Sequence, residues 1–231
     1  VLSADPRSVA NAFVIPELTF QEAMEMAYFG ASVLHPYTML PALEADIPIR
    51  IRNTLNPSAP GTLITTHARR HGTAITGLAS IDHVGLVNVE GGGMLGIPGF
   101  AARIFAALAG VRVNIIMISQ ASSEHSICLV FREGEAPTVE RALNEALAAE
   151  IRAGLIQDSR VSTGLAVIAV IGENMRGTPG ISGRIFSALG RAAVNVLAIA
   201  QGSSERNISL VIGREDMQKA LQTIHHALME E

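Results

Sequence analysis

Val113-Asn-Ile-Ile-Met-Ile-Ser-Gln-Ala-Ser-Ser-Glu124 is answered later in the chain by Val194-Asn-Val-Leu-Ala-Ile-Ala-Gln-Gly-Ser-Ser-Glu205, an offset of 194 − 113 = 81. Each stretch is an apolar run with an amide near its start, a second amide at its end, and a small polar turn after it, the pattern of a strand entering a hairpin. The same offset maps Pro98-Gly99 onto Pro179-Gly180, Ile104-Phe105 onto Ile185-Phe186 and Leu129-Val130 onto Leu210-Val211. No gap is needed, so the C-terminal part is a duplication.

Working outward, each copy reads as one small α+β unit. In the first, residues 85–90 are a short strand. Pro98 sits where a first helical turn accepts proline. Ala101, Ile104, Phe105 and Leu108 follow at helical spacing, and Gly110 ends the helix. Residues 113–119 and 126–131 pair as a hairpin. Pro137 opens a second helix with Val139, Ala142, Leu143, Ala146, Leu147 and Ile151 on one face, and residues 159–163 form a fourth strand. The order β-α-β-β-α-β is the ferredoxin-like split unit. The second copy repeats it with strand 165–171, helix 181–189, strands 194–200 and 207–212, and helix 216–228, but no residues remain for its fourth strand. An unassigned strand-like run, residues 74–81, precedes the first copy. It is expected to cross over and cover the open edge of the second copy's sheet. The implied units are 1–66, 84–163 and 164–231.

Between first strand and first helix both copies carry glycines, Gly91 to Pro98-Gly99 and Gly172 to Pro179-Gly180. A helix N-terminus offers unpaired N–H groups and partial positive charge, and glycine admits a close approach. A small carboxylate suits such a terminus; a turn that is merely tight is the other reading. Gly91-x-Gly93-x-x-Gly96 has the dinucleotide spacing, yet Asn174 replaces the middle glycine in the second copy and no acid ends the next strand. Asn114 and Asn195 open the second strands, and Gln120 and Gln201 close them. Primary amides both donate and accept, so they suit the polar groups of a free amino acid, or else backbone groups of their own turns. The candidate effector contacts are Met94, Gly96, Ile97, Pro98, Gly99, Asn114, Ile115, Gln120, Ser122, Pro179, Gly180, Asn195 and Gln201.

Composition narrows the classes. The chain has 231 residues, 48% hydrophobic and 16% charged, which favours a packed core over disorder. A net charge of -4 with scattered basic residues gives no footprint for nucleic acid. No apolar run reaches the roughly 20 residues of a membrane helix. Cys128 is the single cysteine, in a strand run that reads as buried; a disulfide framework is excluded and a cytoplasmic setting expected. Seven histidines include no zinc-type spacing, and no nucleophile elbow occurs. His225-His226 reads as surface. No catalytic or metal-binding residues are expected, nor any cofactor of this fragment. With Val1 in place of Met, the start is expected to be a cut inside a longer protein, or a processed or engineered end.

Residues 1–66 differ in character. Residues 19–31 read as a helix, 41–46 as a short helix and 47–52 as a strand. Leu18-Thr-Phe-Gln-Glu-Ala-Met-Glu-Met-Ala-Tyr-Phe-Gly30, Val33-Leu-His-Pro36, Ile47-Pro-Ile-Arg50 and Asn56-Pro-Ser-Ala-Pro-Gly-Thr-Leu63 resemble the end of the aspartate kinase catalytic domain, an α/β amino-acid-kinase fold. The two repeats resemble that family's paired ACT modules, and the Ser-Ser-Glu loops resemble the bifunctional aspartokinase–homoserine dehydrogenase branch.

That resemblance implies a parent enzyme phosphorylating the aspartate side chain with ATP and Mg. This fragment lacks the lysine-bearing glycine-rich motif and is expected to be inactive alone. Asp5-Pro6-Arg7 matches the segment that contacts ATP. The family usually has Tyr where Leu2 sits and Lys where Ser32 sits, and serine brings no positive charge to phosphate. The resemblance also implies feedback inhibition, by threonine in the bifunctional branch or lysine in others, and a homodimer formed through the ACT modules. Glu124 and Glu205 are the carboxylates that a lysine ammonium would favour. A dimerisation scaffold without ligand is the alternative.

Overall fold

The computed structural model describes residues 1–30, 34–69, 74–92, 99–120, 126–156 and 159–230. The N-terminal segment holds a three-stranded sheet of β1 (Glu17–Thr19), β2 (Ile49–Ile51) and β3 (Thr62–Thr65), in the order β1-β3-β2. Helix α1 (Phe20–Tyr28) starts from a capping box: Glu22 N–H donates to Thr19 Oγ1 at 3.1 Å, and Thr19 N–H donates to Glu22 Oε2 at 2.9 Å. It stops short of the expected Ala31 because Gly30 turns left-handed (φ 106°), hard against the Ser80 carbonyl. Helix α2 (Pro36–Glu44) begins five residues before the expected Pro41. The His35 side chain caps the Tyr37 N–H, and Pro36 takes the first helical position.

The duplicated part is built from β4 (Gly77–Glu90), α3 (Phe100–Gly110), β5 (Met117–Gln120), β6 (Ser126–Arg132), α4 (Ala136–Ala146), α5 (Ala148–Arg152), β7 (Val161–Ile171), α6 (Ile181–Arg191), β8 (Val196–Gln201), β9 (Asn207–Gly213) and α7 (Met217–His225). One six-stranded antiparallel sheet runs β5-β6-β4-β7-β9-β8. The strands expected at 74–81 and 85–90 are one strand, β4, and those at 159–163 and 165–171 are one strand, β7. Residues 77–81 pair with 167–171 of the second copy, while 84–90 pair with β6 of the first. β7 reciprocates, since Val161 and Ser162 pair with Val87 and Leu86. The two copies therefore exchange strands about a pseudo-twofold axis. Val84 pairs with Leu165, its own repeat equivalent. Beside that pair both strands kink, at His83 (φ 53°) and at its equivalent Gly164 (φ 70°). Glu133 fastens both kinks, accepting the Gly164 N–H at 2.8 Å and lying 3.0 Å from His83 Nδ1.

Because residues 165–171 of β7 are buried on both faces, they read as an unbroken apolar run, whereas Ser162, Thr163 and Gly164 before them are exposed. Ala166, Ile168 and Val170 meet α6 and α7; Val167, Ala169 and Ile171 meet Met117, Val211 and the α1 residues Phe20, Ala23 and Met26. Val87, Val89, Leu129 and Phe131 pack on α3 and α4 as the first copy's core. β5 is shorter than the expected 113–119: Arg112 turns left-handed (φ 59°), and the chain joins the ladder only where Ile116 N–H reaches Val130 O at 2.7 Å. The sheet curls until its outer strands lie side by side, with Ser119 Oγ donating to Ile199 O at 2.8 Å.

Two side chains differ from expectation. Cys128 is half-buried in β6, and burial pushes its thiol up to about 11. His225 is fully buried rather than on the surface. It stands four residues after Leu221 on the apolar face of α7, so one helical turn carries it inward while His226 stays exposed.

Candidate functional site

Duplication brings the two glutamines to neighbouring edges. Gln120 ends β5 and Gln201 ends β8, and both are exposed. Asn114 and Asn195 follow the left-handed Arg112 and Ala193, which are themselves equivalent positions, and both face solvent. None of these four amide side chains takes a hydrogen-bond partner among the described residues. For Gln201, Asn114 and Asn195 no bond to their own turns is present among the described residues; the turn after Gln120 lies outside them. Ile115, between Asn114 and β5, is half-buried.

The helix starts are equally open. α3 follows Gly99 (φ 85°) and α6 follows Gly180 (φ 91°), neither with a side-chain cap. A Cβ at either glycine would meet nothing within 4 Å. Among the described residues nothing caps their first-turn N–H groups, the donors that would suit an anion. Pro179 and Gly180 are exposed. Met94, Gly96, Ile97, Pro98 and Ser122 lie outside the described residues, as do Ser32 and Glu124.

The second loop, between β7 and α6, is held by side chains. Glu173 N–H donates to Glu22 Oε1 at 2.9 Å, Arg206 Nε donates to Glu173 Oε2 at 2.7 Å, and Gly177 N–H donates to Glu205 Oε2 at 2.9 Å. Glu205, a candidate for a lysine ammonium, is thus engaged within its own loop. Glu22 is only 5% exposed, and its carboxyl also accepts from Thr76 Oγ1 and from Thr19. It ties α1 to the second copy. The capping spacing Thr19-x-x-Glu22 was visible in the sequence; its second set of donors, Thr76 and Glu173, 54 and 151 residues away, was not.

A cavity of about 560 Å³ opens beside this tie, not at the strand ends, lined by Phe13, Glu22, Thr76, Glu173 and Arg206 among others. Its acids are already satisfied, so we give it less weight than the open edges. Asp5 clasps Arg7 through both oxygens, at 2.7 to 3.1 Å, and the guanidinium hydrogen bond holds the Asp5 carboxyl below its usual range. The Arg7 side chain is 89% exposed and Pro6 is exposed beside it. Among the described residues no group of His, Cys, Asp and Glu could hold a metal, and no helix is long and apolar enough to cross a membrane.

With that geometry in place, comparison with known proteins is informative. The ACT domain family matches residues 87–147 and 168–228, and the amino acid kinase family matches 1–53. The two ACT matches are again offset by 168 − 87 = 81. A bifunctional aspartokinase/homoserine dehydrogenase 1 (chloroplastic) of Arabidopsis thaliana is 46% identical over 230 residues, covering 97% of this chain and 25% of that protein. The solved aspartate kinase of Clostridium acetobutylicum superposes with a TM-score of 0.88 at 31% identity, over 98% of this chain and 52% of that one. Aspartokinase III of E. coli, solved with lysine and aspartate in its T-state, gives 0.77 at 32% identity, over 99% and 49%. The chain thus spans about a quarter of the bifunctional relative and about half of the solved kinases.

Proposed function

We infer the function from one premise: this chain belongs to the ACT domain family, with two ACT modules joined to a segment of an amino acid kinase domain. On that premise it is the regulatory region of an aspartate kinase of the bifunctional type. The parent transfers a phosphoryl group from ATP, with Mg, to the aspartate side chain, and Arg7 faces the nucleotide phosphates. The ACT pair binds an end-product amino acid and feeds its presence back to the kinase. The observation that carries this reading is the pairing of two exposed glutamines on adjacent strand edges, neither with a partner among the described residues, with helix N-termini in the same modules that no described side chain caps. An N-terminus takes the α-carboxylate, and an amide takes the side-chain group.

Threonine fits best, because its hydroxyl can both donate to and accept from Gln120 or Gln201. Lysine, the alternative effector, needs a carboxylate for its ammonium; Glu205, which accepts the Gly177 N–H through one oxygen, and Glu124 are its candidates. Ile118, Leu197 and Ile199 are large apolar side chains exposed on the same edge strands, which favours a homodimer formed there. A cytoplasmic setting belongs to this proposal.

Calorimetry with threonine, lysine, methionine and isoleucine tests it. Threonine should bind, and Gln120→Ala should weaken it by about two- to tenfold, since a neutral hydrogen bond such as that to the hydroxyl contributes roughly 0.5–1.5 kcal/mol. Silence with all four amino acids overturns the sensor reading. Unchanged affinity in both Gln120→Ala and Gln201→Ala overturns the assignment of the amides.

A further inference from the structure

Ser3 and His225 are both fully buried, although 222 residues separate them. Ser3 Oγ lies 2.9 Å from His225 Nε2, and His225 Nδ1 lies 3.0 Å from Glu230 Oε1. Serine, imidazole and carboxyl in this order resemble a nucleophile with its base and orienting acid. Two observations exclude that use. Neither the serine nor the imidazole is accessible to a substrate, and Ser3 Oγ already accepts the Phe13 N–H at 3.1 Å. Assigning a ring proton to Nδ1, which faces the Glu230 carboxyl, leaves Nε2 as the acceptor in the neutral ring. Ser3 Oγ–H then donates to Nε2, and the buried hydroxyl is satisfied both as donor and as acceptor.

The same helix grips the chain a second time. Gln222 Nε2 donates to Ser8 O at 2.8 Å, and Gln222 and His225 stand three residues apart on one face of α7. Between the two gripped serines runs the turn of residues 4–7, closed by Ser8 and Val9 N–H donating to Asp5 O at 3.0 and 2.9 Å and by the Asp5–Arg7 clasp. Ser3 is also anchored from the sheet, where Leu78 N–H donates to its carbonyl at 2.7 Å. The exposed guanidinium of Arg7 is therefore aimed by a turn whose two ends are pinned to the last helix of the second ACT module.

We propose that His225 and Gln222 are positioning residues that couple helix α7 of the second ACT module to Arg7. A shift of α7 along or across the sheet re-aims Arg7 without any effector near it. This deepens the proposed function and rests on Arg7 facing the nucleotide. Three variants of the intact kinase separate the two ideas. Arg7→Ala probes the nucleotide reading and should raise the KM for MgATP. His225→Leu removes both imidazole bonds at similar volume. Gln222→Ala alters an exposed residue whose loss leaves the core untouched.

Both α7 variants should raise the KM for MgATP about tenfold, the effect of one lost hydrogen bond on the aim of a charged group, and leave the KM for aspartate unchanged. Amide exchange at Arg7, Ser8 and Val9 should quicken. His225→Gln, which keeps an acceptor toward Ser3, should recover part of the loss; a merely structural role would lower stability without splitting the two KM values. If Arg7→Ala raises the MgATP KM while Gln222→Ala and a folded His225→Leu leave both it and the exchange rates unchanged, the coupling is refuted. If Arg7→Ala itself has no effect on MgATP, the nucleotide reading fails, and the exchange data still decide whether α7 holds the turn.

Discussion

Glu22→Gln is the substitution whose cost the structure defines most closely. The Glu22 carboxyl has two donor pairs. Oε2 receives Thr19 N–H at 2.9 Å and Thr19 Oγ1 at 3.1 Å; Oε1 receives Glu173 N–H at 2.9 Å and Thr76 Oγ1. Glutamine has one carbonyl oxygen and one NH2. Either hydroxyl can rotate to accept from the NH2, but a backbone N–H cannot. Whichever way the amide turns, one backbone donor faces another donor in a site 5% exposed. Leaving a buried donor unpaired costs about 1–3 kcal/mol. We therefore expect a loss of about 2 kcal/mol, or about 4–8 °C in Tm for a chain of this size. Urea unfolding followed by circular dichroism should show a lower midpoint with an unchanged slope. Surface changes away from such features stay within about 0.5 kcal/mol. A loss below that limit would refute the reasoning, because the hub would then be solvated in solution. Thr76→Val in a double-mutant cycle with Glu22→Gln should couple, as the two side chains share one bond.

Two further outcomes follow from titrating groups. The Cys128 thiol, raised to about 11 from 9.0 by burial, should alkylate at pH 8 about a hundredfold more slowly than in the urea-unfolded chain; equal rates would mean that β6 is open. Glu133 has its carboxyl lowered, first by the Gly164 N–H and then by His83. A folded value below the unfolded one gives stability that is present above the ordinary carboxyl range and lost as pH falls through the folded value. Wild type should therefore be more stable than Glu133→Gln near neutrality, with the two Tm curves converging between about pH 5 and about pH 3. A pH-independent gap would contradict the clasp across the kinks.

How much was legible beforehand depends on range. The offset of 81 and the alternation of the runs imply two βαββαβ units, and the pairing of residues 77–81 with 167–171 follows the direction in which the unassigned strand was expected to cross. Local patterns do less well where a left-handed residue intervenes: Arg112 shortens β5, and Gly30 shortens α1. His83 hides the continuity of β4, because a charged, kinked pair of residues reads as a loop. His225 was misplaced by attention to its neighbour His226 rather than to Leu221 and Ile224, whose spacing marks the buried face. Glu22 depends on a donor 151 residues away and Ser3 on a partner 222 residues away, and no periodicity encodes such contacts.

The two copies have diverged where those long-range ties are made, and the divergence argues for a division of labour. Glu173, whose N–H meets Glu22 and whose carboxyl meets Arg206, has Gly92 as its repeat equivalent; Arg206 has His125. The side chains that bind the second loop to helix α1 are thus not encoded in the first. The shared architecture persists in both: Gly91 and Gly172 each lie too close to the crossing segment for a Cβ, against Leu155 O and Ala74 O respectively. What is shared serves the strand exchange, and what differs serves contact with the kinase segment. In the first copy the Glu173–Arg206 ion pair has no counterpart, because its two positions are Gly92 and His125. The second loop has its backbone donors at Glu173 and Gly177 committed. On the proposed function, an effector would act through its differential affinity for two arrangements of the exchanged strands, since equal affinity for two states shifts neither, and the ties from the second loop to helix α1 are the contacts that such a rearrangement would move.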